Sequence, residues 1–175
     1  MTADNDSRMA ALLDKQDCIE LVYTLARAID RCDARLIAEC YHPDATDDHG
    51  IIKGDIDTFI AAVIPMLQGM TRTQHNITNI LIRPDGDDAR GEAYFVAQHS
   101  LDAAGGGEEM FAAGRYLDRF TRRDGVWKIA HRLAVYDWTM TVPASGSWDA
   151  APMATLLMRG ARGEADASHG HFAGS

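Results

Sequence analysis

Apolar residues recur at three- and four-residue spacing from Met9 to about Arg31, through Leu12, Ile19, Val22, Tyr23, Ala26 and Ile29. That spacing predicts a long helix burying one stripe. Asp33 is placed to cap a short second helix ending near Cys40. Tyr41-His42-Pro43-Asp44 then reads as a turn, because the residue before a proline avoids the helical region. Asp55 to about Gln68 reads as a third helix, broken or kinked at Pro65. After Gly69 the apolar period falls from about 3.6 to about 2. Thr71–Ile82, Ala89–Leu101, Glu109–Arg122 and Val126–Met140 are four strand-like stretches, with turns at Pro84–Asp88, Ala103–Gly107 and Arg123-Asp124-Gly125. Helices first and a meander of antiparallel strands afterwards predict one α+β domain whose curved sheet wraps the long helix. The segment Pro143–Ser175, rich in Gly, Ala and Ser, reads as a tail with a short apolar stretch at Met153–Met158 and a mobile end at Ser168–Phe172.

Composition narrows the function classes. With 175 residues, 46% of them hydrophobic, the chain can bury a core without staples. A formal charge of −9 repels phosphate backbones and anionic headgroups, which argues against nucleic acid and membrane surfaces as partners. Cys18, Cys32 and Cys40 have no metal-like spacing and read as reduced, small buried hydrophobes. The first residues are acidic where a leader would be basic, and no segment approaches a membrane span, so the expectation is a soluble, cytoplasmic chain. GxGxxG, GxxxxGK[ST], HExxH and GxSxG are absent, leaving dinucleotide, nucleotide, zinc-protease and serine-hydrolase chemistry without a motif. Chemistry without a cofactor or metal is the expectation.

One carboxylate falls where the helix should be apolar. With Ile19 at zero and about 100° per residue, Val22, Tyr23 and Ala26 fall within roughly 60° and Asp30 lands about 20° away. Either Asp30 is buried and has a partner, or the helix frays and Asp30 opens a solvated turn. His75 is the candidate partner. Alternation places it on the face of Ile77 and Leu81, interrupted by Asn79. A neutral imidazole held by a carboxylate can abstract a proton near neutral pH, although a lone strand histidine is more often structural than catalytic. His49 could act as a second acid or base or sit in a turn. His42 reads as structural, while His99 and His131 fall on apolar faces. Tyr94, Phe95, Phe111 and Trp138 could line a pocket or fill the core.

The ordered runs Ala26–Asp33, Cys40–Gly50, Thr73-Gln74-His75-Asn76, Gly114–Phe120 and Gly125–Ile129 resemble the SnoaL-like branch of the nuclear transport factor 2-like superfamily, over residues 10–140. The resemblance implies a cone in which three helices pack on a strongly curved antiparallel sheet around a pocket. It sets the domain at 1–142, with 143–175 a tail that is mobile or packs on a neighbouring subunit. Members include hexachlorocyclohexane dehydrochlorinase, scytalone dehydratase and a bile-acid dehydratase, several of which orient a sheet histidine with an aspartate from the first helix. Carried over by position, His75 is the base, Asp30 its orienting group and Arg115 a pocket cation for the departing or developing anion. Tyr23 is the nearest counterpart of a carbonyl-polarising tyrosine. With Tyr23, His49, Phe95, Phe111 and Trp138 as pocket residues, the resemblance implies a lyase or isomerase acting on a small hydrophobic, aromatic or polycyclic substrate. The alternative is a non-catalytic ligand-binding or interaction module of the same fold. A homodimer or higher homo-oligomer is expected by analogy.

Overall fold

The computed structural model describes residues 3–101, 107–144 and 152–171. The first helix, α1, runs Ala3–Asp30, with Asp4 and Asp6 in its first turn, where the helix dipole favours anions. Its stripe is sealed only from Cys18 onward. Val22, Leu25, Ala28 and Ile29 are buried, whereas Met9, Leu12 and Leu13 stay more than half exposed. The helix closes with a Schellman motif. Asp33 N–H reaches the Ala28 carbonyl at 2.9 Å and Cys32 N–H that of Ile29 at 3.0 Å, with Cys32 at φ +53°. Asp30 is therefore the last helical residue rather than part of a frayed turn. Asp33 passes to α2, Ala34–Cys40, as its N-cap, accepting from Leu36 N–H at 3.0 Å. Asp55 caps α3, Ile56–Gln68, in the same way through Thr58 N–H at 2.8 Å. Pro65 does not end α3, whose face of Phe59, Val63 and Leu67 is buried against the sheet.

Six strands follow or interleave: β1 (Tyr41–Asp48), β2 (Lys53–Asp55), β3 (Arg72–Asp85), β4 (Asp88–Leu101), β5 (Glu108–Arg123) and β6 (Val126–Pro143). The turn expected at Tyr41–Asp44 is instead the start of β1. Pro43 is tolerated there because the register with β6 is irregular between Tyr41 and Thr46, so no ladder bond is forfeited in a regular stretch. The strand order is β2-β1-β6-β5-β4-β3, and β1 pairs with β6 in parallel. The sheet is thus mostly, not wholly, antiparallel, and it is curved without closing into a barrel. Three helices packed on it make a cone-like α+β fold.

Bulges bend the sheet and reset its alternation. One lies between Thr78 and Leu81, where Asn79 takes φ +48°. It turns Leu81 outward, 61% exposed, and Ile82 inward, which corrects the expectation that Leu81 shares the face of His75. A second lies between Ala113 and Gly114, a third between Arg119 and Phe120. Two-residue loops close two hairpins, at Gly86–Asp87 and at Asp124–Gly125, both of the latter at positive φ as a type I′ turn requires. Apart from Gly107, the expected turn at Ala103–Gly107 lies outside the described residues.

Of the tail, α4 (Met153–Leu156) and a 3-10 turn at Gly163–Ala165 are described. It folds back onto the end of α1 of its own chain. Gly163 N–H donates to the Arg31 carbonyl at 2.9 Å, Arg31 Nη1 to the Ala161 carbonyl at 2.8 Å and Asp166 Oδ2 at 3.1 Å, and Arg27 Nη2 to Ser168 Oγ at 3.1 Å. Of the segment Ser168–Phe172, only Phe172 lies outside the described residues. No described helix is long and apolar enough to cross a membrane.

Candidate active site

The closure of α1 puts Asp30, 8% exposed, against the first residues of β3. Both of its oxygens are used on one residue: Oδ2 accepts from His75 N–H at 2.9 Å and Oδ1 from the His75 imidazole at Nδ1, 2.7 Å away. A carboxylate only accepts, so the bond to Nδ1 places the ring proton there and leaves Nε2 with its lone pair. Nε2 has no hydrogen-bond partner among the described residues. The negative end of the helix dipole disfavours Asp30, and the two donors of His75 compensate. His99 lies edge-on to His75 at 5.5 Å and hydrogen-bonds Thr73 Oγ1 at 2.9 Å. Burial, then the neighbouring His75 charge, pushes the His99 imidazole down to about 4, while Asp30 opposes this. A neutral His99 does not compete for the carboxylate.

A second imidazole–carboxylate pair lies in the interior. His49 bonds through Nδ1 to Asp47 Oδ1, and Tyr41 OH donates to Asp47 Oδ2 at 2.7 Å. The ring stacks on Phe59 at 5.1 Å and tilts against Tyr116 at 5.8 Å. Tyr116 in turn stacks on Phe95 at 4.4 Å, with Tyr136 edge-on to Phe95 at 5.8 Å. The Arg132 guanidinium covers Tyr116 at 4.1 Å and pairs with Asp118. Ile77, opposite Phe95 in register, continues this strip towards His75.

Of the residues singled out in sequence, Asp30, His75, His49 and Phe95 therefore take the inner face. Four others do not. Arg115 is opposite Tyr94 and Val135, the parity turned away from Tyr116, and pairs outside with Asp137 at 3.4 Å and Glu92 at 3.7 Å. Phe111 shares that outer parity, opposite Gln98. Trp138, half exposed, is opposite Ala113 because the bulge drops Asp137 out of register and turns Trp138 off the face it would otherwise share with Tyr136. Tyr23 is 51% exposed, off the buried stripe of α1. His42 bonds the Thr121 carbonyl at 2.9 Å, and His131 bonds Thr46 Oγ1 at 2.7 Å at the surface rather than on an apolar face. Asp47, Tyr116, Asp118, Arg132 and Tyr136 were not found by sequence reasoning. The available signal was Asp47-x-His49, an acid and a base two residues apart at the end of an extended stretch.

Cys18 and Cys40 are buried and their thiols are pushed up to about 12 and about 11, chiefly by burial, which makes them inert. A cavity of about 560 Å³ opens beside Asp30 and Thr73, walled by the start of β3, the end of β4 and the returning tail.

The family model described as the SnoaL-like domain matches residues 10–133. Comparison with curated proteins found no match. Among solved structures, a hexachlorocyclohexane dehydrochlorinase, LinA type 2, is 22% identical, with a TM-score of 0.64 over 82% of this chain and 93% of that one. A proposed scytalone dehydratase from Novosphingobium aromaticivorans is 18% identical, with a TM-score of 0.64 over 95% of this chain and 99% of that one. A Kribbella flavida protein, Kfla4162, is 21% identical, with a TM-score of 0.69 over 74% and 95%. At these identities the likeness is one of fold.

Proposed function

The chain belongs to the SnoaL-like domain family, and from that premise we propose that it is a cofactor-independent lyase or isomerase for small hydrophobic, aromatic or polycyclic substrates. The observation that carries the reading is the double contact of Asp30 with His75. It fixes the ring, its tautomer and the backbone beneath it, leaving Nε2 to take a proton from substrate carbon or oxygen. Asp30 then stabilises the imidazolium through Nδ1–H. Such a base contributes on the order of a hundred- to ten-thousand-fold. The aromatic strip of Phe95 and Tyr116 offers an apolar bed for a ring, and His49, held by Asp47, is placed to serve as a second acid or base. The dehydrochlorinase and dehydratase names among the fold neighbours support elimination as the reaction class. Arg115 has no part in this reading.

The test is a substrate screen for loss of water, halide or aldehyde and for double-bond isomerisation, run on the wild type and His75→Ala. Turnover abolished in a His75→Ala variant that still unfolds cooperatively from the native fold supports the reading. Turnover retained removes the dyad. A ligand bound equally by both proteins, with no turnover in either, supports the non-catalytic binding module instead.

A further inference from the structure

The last turn of a helix frays unless it is tied down, because its final carbonyls have no partner within the helix. Asp30 is the last residue of α1, so the proposed dyad is built on a position that is weak by default. β3 is likewise an edge, the last strand in the order of the sheet, and its amide at His75 is satisfied by Asp30. Two marginal ends are thus joined by hydrogen bonds of 2.9 and 2.7 Å. The Schellman closure secures the carbonyls of Ala28 and Ile29. The returning tail secures the rest of the turn.

It grips the helix on both sides of Asp30. Before it, Arg27 Nη2 donates to the carbonyl oxygen and the hydroxyl of Ser168 at 3.3 and 3.1 Å. After it, Arg31 Nη1 donates to the Ala161 carbonyl at 2.8 Å and to Asp166 Oδ2 at 3.1 Å, and the Arg31 carbonyl accepts from Gly163 N–H at 2.9 Å. Arg27 and Arg31 are four residues apart, so they share one face of the turn. Asp166 organises the tail side of this grip. Its Oδ2 also accepts from Ala161 N–H at 2.8 Å, and its Oδ1 from both the N–H and the hydroxyl of Ser168. The side chain is 9% exposed. The Ser168 hydroxyl first, then the Ala161 and Ser168 amides, and the Arg31 charge hold its carboxyl well below the usual carboxylate range. Asp166 therefore stays ionised wherever a histidine base works, and its bonds are charge-assisted.

We infer that Asp166 is a positioning residue for the dyad: it clamps the tail onto the last turn of α1 and so holds Asp30 in its double contact with His75. None of the clamp's bonds reaches His75. Asp166 acts through Arg31, through Ser168 on Arg27, and through the helix backbone between them. A general base must be held within a fraction of an ångström of its working geometry, and a helix end free to fray cannot do that. This role rests on the reading of Asp30 and His75 as a catalytic dyad, and it is tested at His75 without a substrate.

The experiment compares the full-length wild type with Asp166→Ala and Ser168→Ala by amide hydrogen exchange and by heteronuclear NMR of the His75 ring. The wild type should show a protected His75 N–H and a neutral ring protonated at Nδ1. In Asp166→Ala the His75 N–H should exchange about tenfold or more faster and the Nδ1–H tautomer should give way to a mixture, with the amides of β4 and β5 unchanged. Ser168→Ala removes one donor to Asp166 and one acceptor from Arg27, and should shift both signals in the same direction by less. An unchanged His75 in a natively folded Asp166→Ala overturns the clamp. Exchange accelerated equally throughout β4 and β5 also overturns it, since that marks a general loss of stability and not a loosened helix end. If Asp166→Ala fails to fold, Ser168→Ala decides by the same two signals. A wild-type ring protonated at Nε2 overturns the dyad itself and the clamp with it, so the two failures are told apart by whether the wild type or only the variant departs from expectation.

Discussion

Asp118 on β5 and Arg132 on β6 occupy one register position and close two parallel hydrogen bonds of 2.7 Å, with both side chains 1% exposed. The pair lies beneath Tyr116, so it props the aromatic strip from within. Replacing one partner leaves the other charge buried and alone. Arg132→Met should destabilise the fold by about 3–5 kcal/mol in urea unfolding, and pairing it with Asp118→Leu should recover most of the loss. A single-variant loss under about 1 kcal/mol would show that water reaches the pair.

Asp30→Asn is not a neutral isostere here. The amide can still accept from Nδ1–H, but it then turns an NH2 group towards His75 N–H, and two donors meet. The variant should lose about 1–3 kcal/mol of stability as well as turnover. His75→Gln keeps the backbone bond and should lose turnover with little change in stability. Equal thermal shifts in the two variants would contradict the backbone half of the contact.

His99 makes a pH prediction. Its folded imidazole is pushed down to about 4, by burial first and by the His75 charge second. An unfolded histidine titrates near 6.5. Between these values the unfolded chain takes up a proton that the folded chain refuses, so stability is full above about 6.5 and declines as pH falls towards 4. The decline amounts to about 3 kcal/mol at most. His99→Asn, which can keep a bond to Thr73, should show a shallower acid slope in denaturation midpoints measured from pH 7 to 4. Parallel slopes would mean that His99 is hydrated.

Helices and hairpins were legible because their signals are local: an aspartate before each of α2 and α3, a glycine or an aspartate–glycine in each tight turn. Asp30 was legible because one helical period predicts one face over many residues. The sheet was harder, because a period of two is inverted by a single inserted residue. The bulge at Asn79 moved Leu81 outward. The bulge at Gly114 turned Trp138 off the inner face that Tyr136 keeps, and the one at Phe120 brought Arg132 to the inner face in place of His131. Arg115 was misplaced without a bulge. Its neighbours Tyr116, Asp118 and Phe120 form the inner set, and the alternation of Arg115 with Arg119 around Leu117 marks the outer one. The β1 strand was hidden by Pro43, and the return of the tail to Arg31 depends on contacts more than a hundred residues apart, which no local pattern encodes.

Gly114 offers a stability test of the bulge that turns Trp138 outward. A Cβ built at this position would lie 2.0 Å from the Val135 carbonyl oxygen and 3.0 Å from Tyr136 Cα. Both are backbone atoms of the adjoining strand, so no side-chain rotation relieves the overlap. The ladder itself must separate, along with the inner placement of Tyr136. Gly114→Ala should therefore cost about 3 kcal/mol or more, enough to remove much of a domain's margin. Gly125→Ala is the control. Its Cβ meets nothing within 4 Å, and only the φ of +80° opposes it, which predicts a loss of about 1 kcal/mol. Measured by thermal or urea unfolding, the first variant should fall well below the second. If the two losses are equal, the close approach of β6 to Gly114 is not present in solution.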